Sequence, residues 1–113
     1  AAKAQVSRHQ ATLHAQKTEL KIRQLVQALK DSRNLIDIYA KSRKAAQGWL
    51  MASWDLYEDG FGEFRTAMEA LVQYYRKRVD HLQAIYKYNT LVFELSAVVG
   101  HDLKTLSHSA KVP

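Results

Sequence analysis

Hydrophobic residues in the first half of the chain recur at alternating steps of three and four residues. The main stripe is formed by Ile22, Leu25, Leu29, Ile36, Tyr39, Ala46, Leu50 and Tyr57. This spacing fits one face of an α-helix and does not fit the two-residue period of a strand. A second stripe beside it is formed by Ala28, Leu35, Ile38, Ala45, Trp49, Ala52 and Leu56. Two adjacent stripes are wider than a two-stranded coiled-coil seam, so we expect this helix to have neighbours on two sides.

The second half of the chain repeats the helical spacing. Its main stripe is formed by Phe64, Met68, Leu71, Tyr75, Leu82, Ile85, Val92 and Val99, and a second one by Val72, Val79, Tyr86 and Phe93. The pattern predicts a second long helix with an equally wide apolar face. From the two main stripes we predict a helix-packing core of Leu25, Leu29, Ile36, Tyr39, Leu50, Phe64, Leu71, Tyr75, Leu82, Ile85 and Val92.

Helix-breaking residues are few, and they divide the chain into four parts. It has four glycines and one proline, which is its last residue. Gly60 and Gly62 lie in the only interior segment rich in turn residues, and Gly60 is expected to be left-handed. The sequence predicts a helix over 1–58, a turn over 59–62, a returning helix over 63–100 that ends at Gly100, and a polar tail over 101–113. The predicted fold is therefore all-α, a long antiparallel coiled-coil hairpin without β-strands.

Charge is distributed unevenly along this hairpin. The whole chain has 17 Lys and Arg against 11 Asp and Glu, a formal net charge of +6. Basic residues are concentrated in the segment 1–48, which forms the open end of the hairpin. Near the turn, Arg65 is the only basic residue among five acidic ones: Asp55, Glu58, Asp59, Glu63 and Glu69. We expect a basic open end and an acidic tip.

The residue types and spacings of catalytic and metal sites are missing from the sequence. It has no cysteine, and its five histidines lack the spacing of zinc ligands. No nucleophile elbow, phosphate-binding glycine loop or H-E-x-x-H motif occurs. The consecutive bases Arg76, Lys77 and Arg78 point in three directions on a helix, which favours a solvated face over a nucleic-acid patch. We therefore expect no enzyme activity, no metal and no cofactor.

Two aromatic residues near the turn lie off the apolar stripes. Trp54 belongs to neither stripe of the first helix, and Phe61 lies in the turn itself. Core packing therefore does not explain them, and exposed aromatic residues are frequent anchors of protein interfaces. We predict that both contact a partner.

Several motifs resemble the TolC-like outer-membrane efflux factors. Tyr57-Glu58-Asp59-Gly60 is similar to the Tyr-x-x-Gly turn of that family, and Ala70 follows at the matching distance. Tyr86-Lys87-Tyr88-Asn89 and the segment ending in Leu95 and Gly100 are similar to its returning helix. The segment 19–29 resembles the entry into its long helix. The resemblance covers about residues 10–103.

The resemblance implies a role in a conduit. Family members are homotrimers whose hairpins form an α-helical cylinder through the periplasm, and this chain would be the last hairpin of the second repeat. It implies a location at the cell outer membrane with this segment in the periplasm. The implied partners are a periplasmic adaptor and an inner-membrane pump, with no nucleic acid, and with membrane contact only through parts of the family's chains outside this segment.

The same resemblance implies which residues form the entrance and the adaptor-docking tip: Trp54, Asp55, Tyr57, Glu58, Asp59, Gly60, Phe61, Gly62, Glu63 and Arg65. In the family, the tyrosine matching Tyr57 joins a hydrogen-bonded constriction together with an arginine two residues after the glycine. That position is Gly62 here. Arg65, almost one helical turn later, is the nearest candidate to replace that arginine.

A different interpretation follows from composition alone. A free-standing basic helical hairpin would act as an interaction module that binds RNA, an anionic membrane or a protein partner. Steeply salt-dependent binding to nucleic acid, or binding that requires anionic lipid, distinguishes this alternative from the conduit segment.

Overall fold

The chain folds into two helices joined by a short turn. The computed structural model describes the backbone of residues 2–111 and the side chains of residues 2–107. Helix α1 spans Ala2–Glu58 and helix α2 spans Phe64–Lys111, and no strand occurs within the described residues. The predicted all-α hairpin, with its turn near 59–62, is confirmed.

The predicted end of the second helix is wrong. Helix α2 continues through Gly100 to Lys111, so residues 101–111 are helical rather than a tail, and positions 112–113 lie outside the described residues. One glycine inside a helix costs about 1 kcal/mol, and no proline follows it until position 113. Val98 and Asp102, on either side of Gly100, are both half-buried, so packing continues past the glycine.

The structure divides into two compact units, which we name by their position on the hairpin. The turn unit is Asp31–Tyr88 and contains the end of α1, the turn and the start of α2. The terminal unit combines Ala1–Lys30 with Asn89–Pro113. Each unit contains one segment of each helix.

In the turn unit, the two helices bury mostly small and amphipathic side chains. Ala67 and Ala70 are 0% exposed, and Ser32 and Ser53 are also buried. The least exposed positions advance by three and four residues along both helices, as in a coiled coil. We call this contact the seam; in the turn unit it consists of Ser32, Ile36, Tyr39, Arg43, Ala46, Leu50 and Ser53 on α1, and Ala67, Ala70, Tyr74, Lys77, His81, Ala84 and Tyr88 on α2.

The predicted packing core holds for α1 and fails for much of α2. Leu25 is buried, while Leu29, Ile36, Tyr39 and Leu50 are half-buried.

On α2, Phe64, Tyr75, Leu82 and Val92 of the predicted helix-packing core are all exposed, so they do not form a core within the single chain. Leu71 and Ile85 are half-buried. Alanine at the seam lets two helix backbones approach closely, and the bulkier stripe is left on the outer surface.

In the terminal unit, the seam is made of larger aliphatic residues. On α1 it contains Ile22, Leu25 and Leu29, and on α2 it contains Leu91, Leu95 and Val98, all buried or half-buried. The segment 2–17 of α1 is exposed on every side. Aliphatic packing therefore begins only near Thr18.

Candidate docking surfaces

The turn is held by a Schellman motif around Gly60. Gly60 has a φ of 80°, as predicted, and its N–H donates to the carbonyl of Tyr57 at 3.1 Å. The N–H groups of Phe61 and Gly62 both donate to the carbonyl of Leu56 at 2.9 Å. These bonds satisfy carbonyls at the end of α1 that would otherwise lack a partner. The backbone at the tip is therefore well defined.

Gly62 is favoured in the turn by the lack of space around it, and not by a left-handed φ as Gly60 is. A Cβ atom at this position would lie 3.0 Å from the Cβ of Leu56 and 3.1 Å from the backbone nitrogen of Tyr57. A side chain here would be crowded against the last residues of α1, which would have to shift by a few tenths of an ångström. An arginine at position 62 would therefore require this turn to adjust.

An aromatic cluster fixes the side chains just before and after the turn. The Trp54 Nε1–H donates to Glu58 Oε1 at 2.8 Å. The ring of Tyr57 lies between two others, with centroids 5.7 Å from Trp54 and 5.4 Å from Phe64. Tilted pairs at such distances are favourable aromatic contacts. Trp54 is thus off the predicted stripes but is held in place by Glu58 and Tyr57.

Phe61 projects from the turn into solvent. It is 87% exposed, the highest value among the exposed large hydrophobic residues that the structure describes. Exposed carboxylates surround it in sequence: Glu58, Asp59 and Glu63. We call the exposed aromatic ring and these acids the tip surface. An apolar centre with an acidic border suits a partner that offers an apolar pocket with a basic border.

Arg65 does not contact Tyr57. Its Nε lies 3.9 Å from Glu69 Oε1, one turn further along α2, and both side chains are well exposed. Such a pair contributes little to stability. The structure thus brings Trp54, Tyr57 and Phe64 together and leaves Arg65 apart from them.

Two further apolar surfaces lie on the outside of the turn unit. The α1 flank consists of Leu35, Ile38, Trp49 and Leu56, all exposed. The α2 flank consists of Phe64, Met68, Tyr75 and Leu82, also exposed. The steps between these residues are three, eleven and seven on α1 and four, seven and seven on α2, all of which keep to one face of a helix. Each helix therefore buries one face at the seam and presents a second apolar face outward.

Two separate grooves lie between the helices at different levels of the turn unit. One, of about 190 Å³, is lined by Leu35 of the α1 flank and by Asp80, Gln83 and Lys87 of α2. The other, of about 410 Å³, is lined by Met51 and Trp54 of α1 and by Leu71, which borders the α2 flank. Leu35 and Leu71 thus line different grooves between the same pair of helices.

The bases at 76–78 do not share a surface. Lys77 is half-buried at the seam, and Arg76 and Arg78 are exposed on either side of it. In the terminal unit, by contrast, Lys3, Arg8 and Lys17 are all exposed along α1. Their charges are available to an anionic partner.

No metal-binding group of three or more His, Asp or Glu side chains is found among the described residues. No helix in the part of the chain that the structure describes has the length and apolar character needed to cross a membrane.

Comparison with known proteins identifies no relative. No protein-family model matches the sequence, and no curated protein and no solved structure matches it either.

The seam of α2 is the feature that sequence reasoning missed. Ala67, Ala70, Ala84 and the residues between them follow steps of three and four, as the bulkier stripe does. This spacing indicates the buried face of α2 only when alanine is counted as an apolar residue equal to leucine or valine.

Proposed function

We propose that this chain is a wall segment of a trimeric outer-membrane efflux or secretion channel, lying in the periplasm with its turn at the entrance. The observation that carries the proposal is the presence of two exposed apolar flanks, one on each helix of the turn unit. A helix pair that only needed to fold would bury its largest apolar residues at the seam. Here α2 places Tyr75 and Leu82 outside and Ala70 and Ala84 inside.

Such a pair is suited to stand in a row of helices. When the two binding surfaces of a subunit differ, subunits associate head to tail and the assembly closes as a ring or continues as a filament. A closed row of hairpins is a cylinder. The sequence resemblance to TolC-like factors supports the ring, because members of that family are homotrimers with cylinders of this kind.

The tip surface supports a docking role at the entrance. Phe61 is presented by a turn whose backbone is fixed by Gly60 and Gly62, so little ordering entropy is lost when a partner binds. The acids around it favour a basic partner and speed its approach. A periplasmic adaptor that links the channel to an inner-membrane pump is the proposed partner.

The gate of the family is not part of this proposal. Tyr57 lies between Trp54 and Phe64, and Arg65 lies beside Glu69. Position 62 is a glycine, and the arginine that the family places there would crowd Leu56 and Tyr57. The proposal therefore rests on the flanks and the tip surface alone.

The test is adaptor crosslinking and transport in the full-length parent protein. Phe61→Ala should reduce adaptor crosslinking and transport without loss of the assembled channel, because Phe61 contributes almost nothing to the packing of the hairpin. Lys30→Ala, an exposed change in the terminal unit, is the matched control and should behave like the unaltered protein. If Phe61→Ala docks and transports normally while Lys30→Ala does not, the tip is not the docking end.

A second candidate function is favoured by the exposed basic start of α1. Residues 2–17 contact no other part of the hairpin closely enough to be buried, and Lys3, Arg8 and Lys17 are on this segment. An interaction module that binds RNA or an anionic membrane would use such a surface. Binding to single-stranded RNA or to anionic vesicles that weakens steeply between low and physiological salt, and is lost in a Lys3→Ala/Arg8→Ala/Lys17→Ala variant, would favour it over the conduit.

A further inference from the structure

We infer that the groove beside Trp54 binds an organic cation, which is a positively charged group carried on an aromatic or aliphatic body. This groove has a volume of about 410 Å³ and is lined by Leu50, Met51, Trp54, Asp55 and Leu71. We call it the Trp54 groove. The inference goes beyond the proposed function, because it concerns a small-molecule site on the hairpin itself and does not depend on the chain being part of a channel.

The walls of the Trp54 groove suit the apolar part of such a ligand. Leu50, Met51 and Leu71 contribute aliphatic and thioether groups, and Trp54 contributes its indole ring. Met51 is 60% exposed and Trp54 is 40% exposed, so a ligand would cover apolar surface that water now contacts. The volume of the groove falls within the range of about 300 to 1,000 Å³ that is usual for small-molecule sites.

The indole ring of Trp54 is fixed in the unliganded hairpin. Its Nε1–H donates to Glu58 Oε1 at 2.8 Å, and its centroid lies 5.7 Å from that of Tyr57. The face of an indole ring carries negative charge density and attracts cations. Because the ring is already ordered, little conformational entropy is lost when a cation packs against it.

Asp55 gives the Trp54 groove a negative charge. It is the only ionisable residue among those that line the groove, and it is exposed. The ion pairs observed within the described residues join other acids to Lys and Arg, and none of them includes Asp55. Glu58, Asp59 and Glu63 follow close by in the sequence, with Arg65 as the only basic residue near the turn. The local field therefore attracts cations to this part of the hairpin.

Two other grooves of similar volume lack this combination of groups. A groove of about 430 Å³ in the terminal unit has Lys17 and Lys21 as its charged lining residues. A groove of about 510 Å³ on α2 is lined by one residue of each charge, Arg76 and Asp80. Of the three grooves, only the Trp54 groove joins an indole ring to a carboxylate with no basic residue in its lining. A cation is therefore expected to prefer it.

Fluorescence of the whole 113-residue chain tests the inference, because the two tryptophans can be removed one at a time. Trp49 does not line the groove, so Trp49→Phe leaves Trp54 as the only reporter, and Trp54→Phe leaves Trp49 as the matched control. The probes are tetraphenylphosphonium and tetraphenylborate, which have nearly the same size and shape and opposite charge. We expect saturable quenching of Trp54 by the cation, a much weaker response to the anion, and no saturable quenching of Trp49.

Two substitutions that remove the same charge separate a local site from general attraction to the acidic tip. On the Trp49→Phe background, Asp55→Asn should weaken binding of tetraphenylphosphonium by about threefold, as expected for an ion pair exposed to solvent. Asp59→Asn removes an exposed acid that does not line the groove, and its effect should be clearly smaller.

Four results would overturn the inference. They are the absence of saturable quenching of Trp54, equal quenching by the cation and the anion, an equally saturable response of Trp49, and equal effects of Asp55→Asn and Asp59→Asn. Adaptor docking through Phe61 is measured separately in the full-length parent protein, so each of these results would reject the cation site and leave the docking proposal standing.

Discussion

The seam between α1 and α2 is lined by different types of residue in the turn unit and in the terminal unit. In the terminal unit, the seam is aliphatic, with Leu25 facing a helix that contributes Leu91, Leu95 and Val98. In the turn unit, the seam is lined on α2 by Ala67, Ala70 and Ala84, and the large residues of α2 lie outside. Large residues at a seam stabilise the hairpin itself, whereas large residues outside stabilise it only when another molecule covers them. Both units expose large apolar residues, among them Leu82 in the turn unit and Phe93 in the terminal unit, so the difference between the units lies in what lines the seam.

The largest effect is expected in the aliphatic seam. Leu25→Ala should lower the free energy of unfolding of the isolated chain by about 3 kcal/mol, because a buried leucine is lost and a cavity is left. Leu25 is 8% exposed, while Leu20 on the same helix is 56% exposed. Leu20→Ala is the matched control and should change stability by less than about 0.5 kcal/mol. Urea unfolding followed by circular dichroism measures both, and equal losses would contradict the assignment of the seam.

A smaller loss is expected when the alanine seam is overfilled. Ala70→Leu should destabilise the turn unit by about 2 kcal/mol, because two helices in close contact have no room for a larger side chain. Val72→Leu, two residues away on the exposed face, adds one methylene and should be nearly neutral. Thermal unfolding compares the two. A stabilising effect of Ala70→Leu would mean that the helices of the turn unit are not close at this level.

Gly60 and Gly48 differ in backbone conformation, so replacing each of them with alanine should have opposite effects on stability. Gly60→Ala should cost about 1 kcal/mol, because its φ of 80° is unfavourable for a residue with a side chain. Gly48→Ala should instead stabilise α1 by about 1 kcal/mol, since the position is helical and a Cβ there meets nothing within 4 Å. Opposite signs in the same unfolding experiment are the expected result. Two changes of the same sign would show that the turn is not held as described.

Much of the architecture was predictable from the sequence. The stripe on α1 identified its buried face, since Leu25, Leu29 and Ile36 are all withdrawn from solvent. The glycines at 60 and 62 identified the turn, because only glycine suits a left-handed residue and a close backbone approach.

The face of α2 that meets α1 was not predictable by the same reasoning. Hydrophobicity ranks Tyr75 and Leu82 above Ala70 and Ala84, whereas the distance between two helices is determined by the size of their side chains. Gly100 was misjudged for a related reason: a helix that remains packed on both sides of a glycine tolerates its small intrinsic cost. In both places, tertiary packing outweighed the local preference of the residue.

The tip surface was partly predictable. Trp54 and Phe61 were identified because they lie off the stripes, and Phe61 is indeed the more exposed of the two. Trp54 and Glu58 are four residues apart on α1, so their hydrogen bond follows from helical spacing. The contact of Tyr57 with Phe64 does not, because it depends on how the turn brings the start of α2 against the end of α1.

One pair of substitutions on α2 tests most directly which of its faces is buried. Leu82 is 55% exposed and Ala84, two residues later, is 8% exposed. Leu82→Asp and Ala84→Asp in the whole chain should be compared by circular dichroism, urea unfolding and analytical ultracentrifugation. We predict that Leu82→Asp keeps the helical fold but weakens self-association, whereas Ala84→Asp destabilises the fold itself because a charge is placed between the helices. If Leu82→Asp unfolds the chain while Ala84→Asp leaves it folded, then the large residues of α2 form the seam after all and the account is contradicted.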